Sequence, residues 1–126
     1  AAGSKPVGDI FAPATGNKIA GLLTADGTSF GDSCEELWKM GRRENLFTGN
    51  TTIGAVFTNG KFNKAQMNKI ASMTRNAYAR CINPVGTMAD GDSIYAASAG
   101  DVEADLNVAG TLAAYVMERA IVAAIR

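Results

Sequence analysis

The stretch from Thr51 to Asn59 constrains this chain more than any other. Ile53, Ala55 and Phe57 alternate with Thr52, Gly54, Val56 and Thr58, which is the period of two that a β-strand requires. Asn59-Gly60 follows, a dipeptide that tolerates positive φ and so predicts a closing turn. A strand of this composition is expected in a core. Gly54, with no side chain in mid-strand, predicts close approach of another backbone or a ligand, or else a bulge. Gly49-Asn50-Thr51 leads into the run, so a hydroxyl stands at the strand's mouth. On spacing alone that hydroxyl needs no chemistry, because polar residues routinely flank strands.

The flanking segments supply the remaining elements. Pro6, Pro13 and Gly16 punctuate residues 1 to 17, which read as a loop or extended entry in which only Val7 to Phe11 can pair. Ile19 to Leu23 predicts a second, central strand, turned at Asp26-Gly27. Cys34, Leu37 and Trp38 recur at helical spacing behind an Asp32 or Ser33 cap, predicting one or two helical turns before Gly41. Residues 41 to 50 read as a polar, mobile connection. Asn63 with Gln66 three residues later predicts a capping box for a longer helix. Its apolar face is Met67, Ile70, Ala71, Ala77, Tyr78 and Cys81, its solvated face Lys64, Asn68, Lys69, Arg75 and Asn76, and Pro84 ends it. Ser93 to Ala99 predicts another strand. Val102 to Ile125 predicts a long helix with little polar circumference, buried between layers or against another subunit. Strands, helix, strand, helix is the order of an α+β fold with helices layered on a sheet.

Composition then removes whole classes of function. A chain of 126 residues suits one domain, or part of one. Twelve basic and twelve acidic residues cancel, leaving no field to attract nucleic acid or an anionic membrane surface. The absence of histidine excludes imidazole catalysis, His-ligated metal and any Ser/His/Asp triad built by this chain. Cys34 and Cys81 fit neither a zinc spacing nor a disulfide framework, so a reduced, cytoplasmic protein is expected. No basic-then-apolar leader opens the chain, and Glu118 and Arg119 interrupt its longest apolar stretch, arguing against a signal peptide or a membrane span. Ala1 in place of methionine is expected from a processed start or a piece of a longer precursor. No GxGxxG or GxxxxGK phosphate loop is present.

What remains as chemistry is Thr51 together with Asp90-Gly91-Asp92 immediately before the Ser93 strand. Taken alone, Asp-Gly-Asp is more often a turn than a site, and a calcium loop would need further oxygen ligands at regular spacing. Asn50-Thr51-Thr52 is also a glycosylation acceptor pattern, relevant only to a secreted protein. A threonine can act as a nucleophile without histidine if it becomes N-terminal. Its own α-amino group, with a pKa of about 7.7–8.0, can then accept the hydroxyl proton. That requires cleavage between Asn50 and Thr51, which the same hydroxyl can perform on the preceding carbonyl through an ester. In an extended segment Asp90 and Asp92 point the same way and can meet the threonine's ammonium and hydroxyl.

Gly49 to Asn59, the helix opening Asn63-Lys64-Ala65-Gln66, and Met88 to Ala96 resemble the self-processing aminopeptidases of the L-aminopeptidase/D-esterase type, a family that includes the β-peptidyl aminopeptidases and the nylon-oligomer hydrolase. The likeness runs essentially the length of the chain. It implies a precursor cut before Ser or Thr into a large and a small subunit, with residues 1–50 ending the large-subunit region and residues 51–126 forming the small one. It implies a four-layer αββα sandwich similar to the N-terminal nucleophile hydrolases, of which this chain supplies part. Thr51 matches the nucleophile, and Asn50 the residue before the cut. Asp90 and Asp92 match the acidic pair of the nylon-oligomer hydrolase, where the β-peptidyl aminopeptidases resemble each other in having Ser and Glu. The family's oxyanion-binding asparagine lies in a segment resembling Asn-Ala-Val-Gly. Ala1-Ala2-Gly3 falls just after that place, which puts part of the site outside this chain.

The expected function is therefore an amide hydrolase, an aminopeptidase or amino-acid oligomer hydrolase, that needs no cofactor or metal. Its expected partners are a small peptide or amide substrate, the N-terminal remainder of the precursor and further copies of itself, a tetramer by resemblance. No nucleic acid and no membrane are expected. The alternative is a non-catalytic binding or structural domain of the same fold that never processes.

Overall fold

The structure is a computed structural model that describes residues 8–40, 51–88 and 91–125. The elements run β1 (Asp9–Phe11), β2 (Lys18–Ala20), α1 (Ser33–Met40), β3 (Ile53–Gly60), α2 (Lys64–Cys81), β4 (Ile82–Asn83), β5 (Ser93–Val102) and α3 (Leu106–Ala124). Helix and strand are mixed. The 41–50 connection expected from the sequence lies outside the described residues, as do Asn50 and Asp90.

β3 and β5 pair in parallel, with Ile53 opposite Ser93 and Phe57 opposite Ala97, and α2 makes the connection between them. A parallel pair demands such a crossover, because a tight turn cannot reverse the chain twice. The expected turn at Asn59-Gly60 is absent: both residues belong to β3, and Gly60 pairs with Val102. β5 accordingly extends three residues beyond the expected Ala99, and α3 begins at Leu106 rather than Val102, capped by the Asp105 carboxylate on the N–H groups of Asn107 and Val108.

α2 forms as its pattern requires. The Asn63 side chain accepts from Gln66 N–H and the Gln66 side chain accepts from Asn63 N–H, completing the capping box. Its buried face is Met67, Ile70, Thr74, Ala77, Tyr78 and Cys81. Thr74 takes the place expected of Ala71 by donating its hydroxyl to the Ile70 carbonyl, which satisfies a buried polar group within the helix. Pro84 does not itself end the helix. Ile82 already turns extended, and Ile82–Asn83 forms β4.

α2 and α3 cover one face of the β3–β5 sheet. Tyr78, Ala77, Cys81, Met117 and Ile121 pack with Val56 and Ile94, and Met67, Ile70 and Ala113 pack with Val56 and Ala96. Among the described residues nothing covers the opposite sheet face: Ile53 is 70 % exposed, Phe57 80 % and Tyr95 66 %. The expectation of a wholly buried β3 is thus corrected: among the described residues, the Gly54–Val56–Thr58 parity has a layer against it and the Ile53–Ala55–Phe57 parity does not. α3 is likewise apolar beyond what it buries, with Val108, Leu112, Tyr115 and Val116 exposed. By length and composition alone it is apolar enough to cross a bilayer despite Glu118 and Arg119. Here its buried residues face α2, and Glu118 pairs with Arg80 of that helix.

A second, smaller sheet runs in the order β2-β1-β4, all antiparallel. β1 is the central strand. The Ile19–Leu23 segment, expected to be central, instead contributes the edge strand Lys18–Ala20 and then departs at Gly21, leaving Leu23 in a lone bridge to Phe30 around the Asp26-Gly27 turn. Asp32 is the α1 cap, accepting from Glu35 N–H, while Ser33 is buried against Asp9.

Candidate active site

The first residues of β3 and β5 lie side by side, because parallel strands in register begin together. Ser93 N–H donates to the Thr52 carbonyl at 3.0 Å. One residue before β5, the Asp92 carboxylate accepts from Thr52 N–H at 2.7 Å through Oδ1 and from Gly86 N–H at 3.1 Å through Oδ2. Gly86 reaches that carboxylate from a backbone conformation with φ of +69°, which an L side chain rarely adopts. Asp92 therefore ties Gly86 to the start of β3 by two charge-assisted hydrogen bonds.

Thr51 is exposed at this mouth, on the same parity as Ile53 and Phe57, whereas Thr52 shares the helix-facing parity of Gly54. Gly91 lies beside the Thr51 side chain, with room for little more than its hydrogens: a Cβ there would stand 3.0 Å from Oγ1 and 3.4 Å from Cγ2. Of the carboxylates expected to meet the Thr51 ammonium and hydroxyl, Asp92 lies next to Gly91 at this mouth. Among the described residues Asp92 bonds to the N–H of Thr52 and of Gly86, and so addresses Thr51 through the backbone of the next residue. Asp90 and Asn50, the other two expected site residues, lie outside the described residues.

Tyr78 is a site residue that the sequence pattern assigned only to the core face of α2. It is 3 % exposed, and its hydroxyl donates to the Ser93 carbonyl at 3.2 Å. Burial, with the Asp92 carboxylate adding to it, pushes its phenol above the ordinary tyrosine pKa, so it stays a protonated donor at neutral pH. Gly54 explains itself here. A Cβ at that position would lie 2.6 Å from the Tyr78 hydroxyl and 2.9 Å from Met117 Cε, so what approaches Gly54 is neither the backbone nor the ligand expected there but side chains of the two helices. That glycine was the available signal for a group pressed beneath the strand mouth. Beside Tyr78 and Asp92 lies an open recess of about 340 Å³, lined also by Ser72, Arg75, Asn76 and Val85. Among the described residues, no three His, Cys, Asp or Glu side chains converge as metal ligands do.

A helix-backed parallel strand pair preceded by Thr51-Thr52 on one strand and by Asp92 on its neighbour defines the class, a mixed helix-and-strand domain with a polar, hydroxyl-bearing strand mouth. The chain belongs to peptidase family S58, whose family model matches residues 6–126. An uncharacterized aminopeptidase of Mycobacterium leprae is 40% identical over 55 residues, 44% of this chain and 15% of that protein. The 6-aminohexanoate-oligomer endohydrolases of Kocuria and of Paenarthrobacter ureafaciens are each 33% identical over 55 residues, 44% of this chain and 16% of those proteins. The matched part of this chain therefore spans about a sixth of the length of these relatives.

Proposed function

We propose that this chain supplies the nucleophile of an amide hydrolase that acts on aminoacyl amides or short amino-acid oligomers, and that the nucleophile is Thr51 after self-cleavage of the Asn50–Thr51 bond. The observation that carries the reading is the placement of the exposed Thr51 hydroxyl beside Gly91, 3.0 Å from where a Cβ of that residue would stand and one residue from Asp92. Membership of a peptidase family and likeness to an aminopeptidase and to oligomer endohydrolases support it.

In the cleavage step Thr51 Oγ attacks the Asn50 carbonyl carbon, the C–N bond breaks, and the hydroxyl proton passes to the departing nitrogen. The resulting ester is hydrolysed by water, which leaves Asn50 with a carboxylate and Thr51 with a free amine and hydroxyl. On substrate, that amine accepts the hydroxyl proton as Oγ attacks the scissile carbonyl. It returns the proton to the leaving amine, and water releases the acyl group. Asp92 keeps the Thr51–Thr52 peptide in place through the Thr52 N–H, and Asp90 completes the acidic pair. Backbone N–H groups and residues outside this chain provide the oxyanion donors. A second αβ pair covers the bare Ile53–Phe57–Tyr95 face to complete four layers. That face has the apolar character a sheet-on-sheet contact needs.

Intact-mass spectrometry of the purified full-length protein tests this. The expected result is two chains, the smaller beginning at Thr51, with hydrolysis of aminoacyl amides. Thr51→Ala is expected to leave one uncut, inactive chain, a loss of roughly 10³-fold or more in rate. Uncut wild-type protein, or a Thr51→Ala protein that still cuts itself, overturns the proposal in favour of a non-processing domain.

A further inference from the structure

We infer that Tyr78 is a positioning residue for the threonine nucleophile, acting from α2 through the two strand mouths without touching the reacting atoms; this rests on the reading of Thr51 given above. The chain of contacts is short and continuous. Tyr78 donates to the Ser93 carbonyl, Ser93 N–H donates to the Thr52 carbonyl, and Asp92 accepts from Thr52 N–H. The peptide that carries Thr51 is thereby gripped at both the N–H and the C=O of the following residue. Both grips come from β5, and β5 is in turn held at Ser93 by a phenol rooted in a helix.

Core packing alone does not account for this arrangement. A phenylalanine would fill the same apolar space against Ala77, Met117 and Ile121. The hydroxyl instead occupies the spot where a Gly54 side chain would stand, and Gly54 leaves it room. Strand and helix have thus each given up an ordinary residue so that a donor can lie beneath the sheet within reach of Ser93. Loss of that donor leaves the Ser93 carbonyl without its helix partner, and the β5 mouth, with Asp92 on it, is free to shift relative to Thr51.

The distinguishing experiment compares wild type, Tyr78→Phe, Gly54→Ala and the double variant, all in the full-length protein. The rate of self-cleavage, kcat and KM on an aminoacyl amide, and the thermal midpoint are measured for each. Tyr78→Phe is expected to fold, to cut itself more slowly and to lose roughly tenfold in kcat, the size expected when one neutral hydrogen bond is lost, with KM within about twofold. Gly54→Ala is expected to lose more than tenfold by displacing the phenol. Combining it with Tyr78→Phe is expected to cost no more kcat than Gly54→Ala alone, because the two changes remove the same contact. If the assay temperature lies well below every midpoint, a purely structural tyrosine leaves kcat unchanged in Tyr78→Phe. That result, or strictly additive kcat losses in the double variant, overturns the inference. A wild-type protein that neither cuts itself nor turns over substrate instead defeats the underlying nucleophile reading, so the two failures are distinguishable.

Discussion

Asp9 and Asp92 are both carboxylates that hold backbone N–H groups, yet their surroundings are opposite. Asp9, 3 % exposed in the small sheet, accepts from Leu22 N–H, Ser33 N–H, the Ser33 hydroxyl and the Lys18 ammonium. Lys18 also donates to the Gly31 carbonyl and lies 5.8 Å from the ring centroids of Phe11 and Phe30. Every oxygen lone pair of Asp9 is directed at a fixed partner, and even the backbone at Gly21, with φ of +142°, comes so near that a Cβ would stand 2.9 Å from Asp9 Cα. Asp92 is half-buried and accepts only from Thr52 and Gly86 among the described residues, beside an open recess and an exposed threonine. A carboxylate enclosed by donors stabilises a fold. One left partly open at a strand mouth is available to a neighbour whose charge changes during a reaction.

Asp9→Ala is the largest expected effect on this contrast. It strands the Lys18 ammonium in a site 16 % exposed and leaves the Ser33 and Leu22 donors unpaired. Breaking one side of a buried ion pair costs about 3–5 kcal/mol. Urea unfolding of the full-length protein is expected to show a loss of that order, with the rate of self-cleavage per folded molecule unchanged. A loss under about 1 kcal/mol would show that the Asp9 cluster does not hold the small sheet.

Asp92→Ala is expected to do the reverse. Its two backbone partners stand near solvent and can be rehydrated, so stability falls by only about 1–2 kcal/mol. The rates of self-cleavage and of turnover are expected to fall roughly 10- to 100-fold, because Thr52 N–H loses the acceptor that fixes the peptide after Thr51. Kinetics followed by intact mass, together with kcat, read the rates, and urea unfolding reads the stability. An Asp92 variant with wild-type rates would erase the functional half of the comparison.

How much of this could be read before any coordinates follows from the range of each interaction. The start of α2 and most of its buried face were legible because their signals are local: Asn63 and Gln66 cap it, and the 3.6 period selects Met67, Ile70, Ala77, Tyr78 and Cys81, though not Thr74. β3 was legible as a strand but not as half-exposed, since alternation reports the period and says nothing about which layers are present to cover each face. The pairing of β3 with β5 was also silent, and with it the extension of β3 through Asn59-Gly60, because register across 40 residues of chain leaves no local pattern. Thr51 and the Asp90–Asp92 segment were picked out by residue chemistry and by resemblance. Tyr78 was missed because a buried tyrosine on an apolar helix face looks the same whether or not its hydroxyl serves a neighbouring strand. The Asp9 knot was missed for the same reason. Lys18, Ser33 and Asp9 are 9 to 24 residues apart and meet only in the folded sheet.

The smallest expected effect separates the two carboxylates by pH. Burial alone pushes the Asp9 carboxyl upward, but the hydrogen bonds from Lys18, Ser33 and Leu22 together outweigh it and leave the group below the ordinary aspartate value. A folded pKa below the unfolded value, about 3.9, means that ionised Asp9 stabilises the fold fully above that value. The contribution is lost progressively as pH falls through the folded pKa. Asp9→Asn has no proton to gain there, and its amide N–H groups face donors that a carboxylate would accept. The variant is therefore expected to be less stable than wild type at neutral pH. The gap should narrow steadily below about pH 4, because only wild type loses a charged acceptor. Thermal midpoints of both proteins between neutrality and pH 2.5 measure the convergence. Parallel curves across that range would mean that Asp9 has the same pKa folded and unfolded, so that its ionisation contributes nothing to the fold.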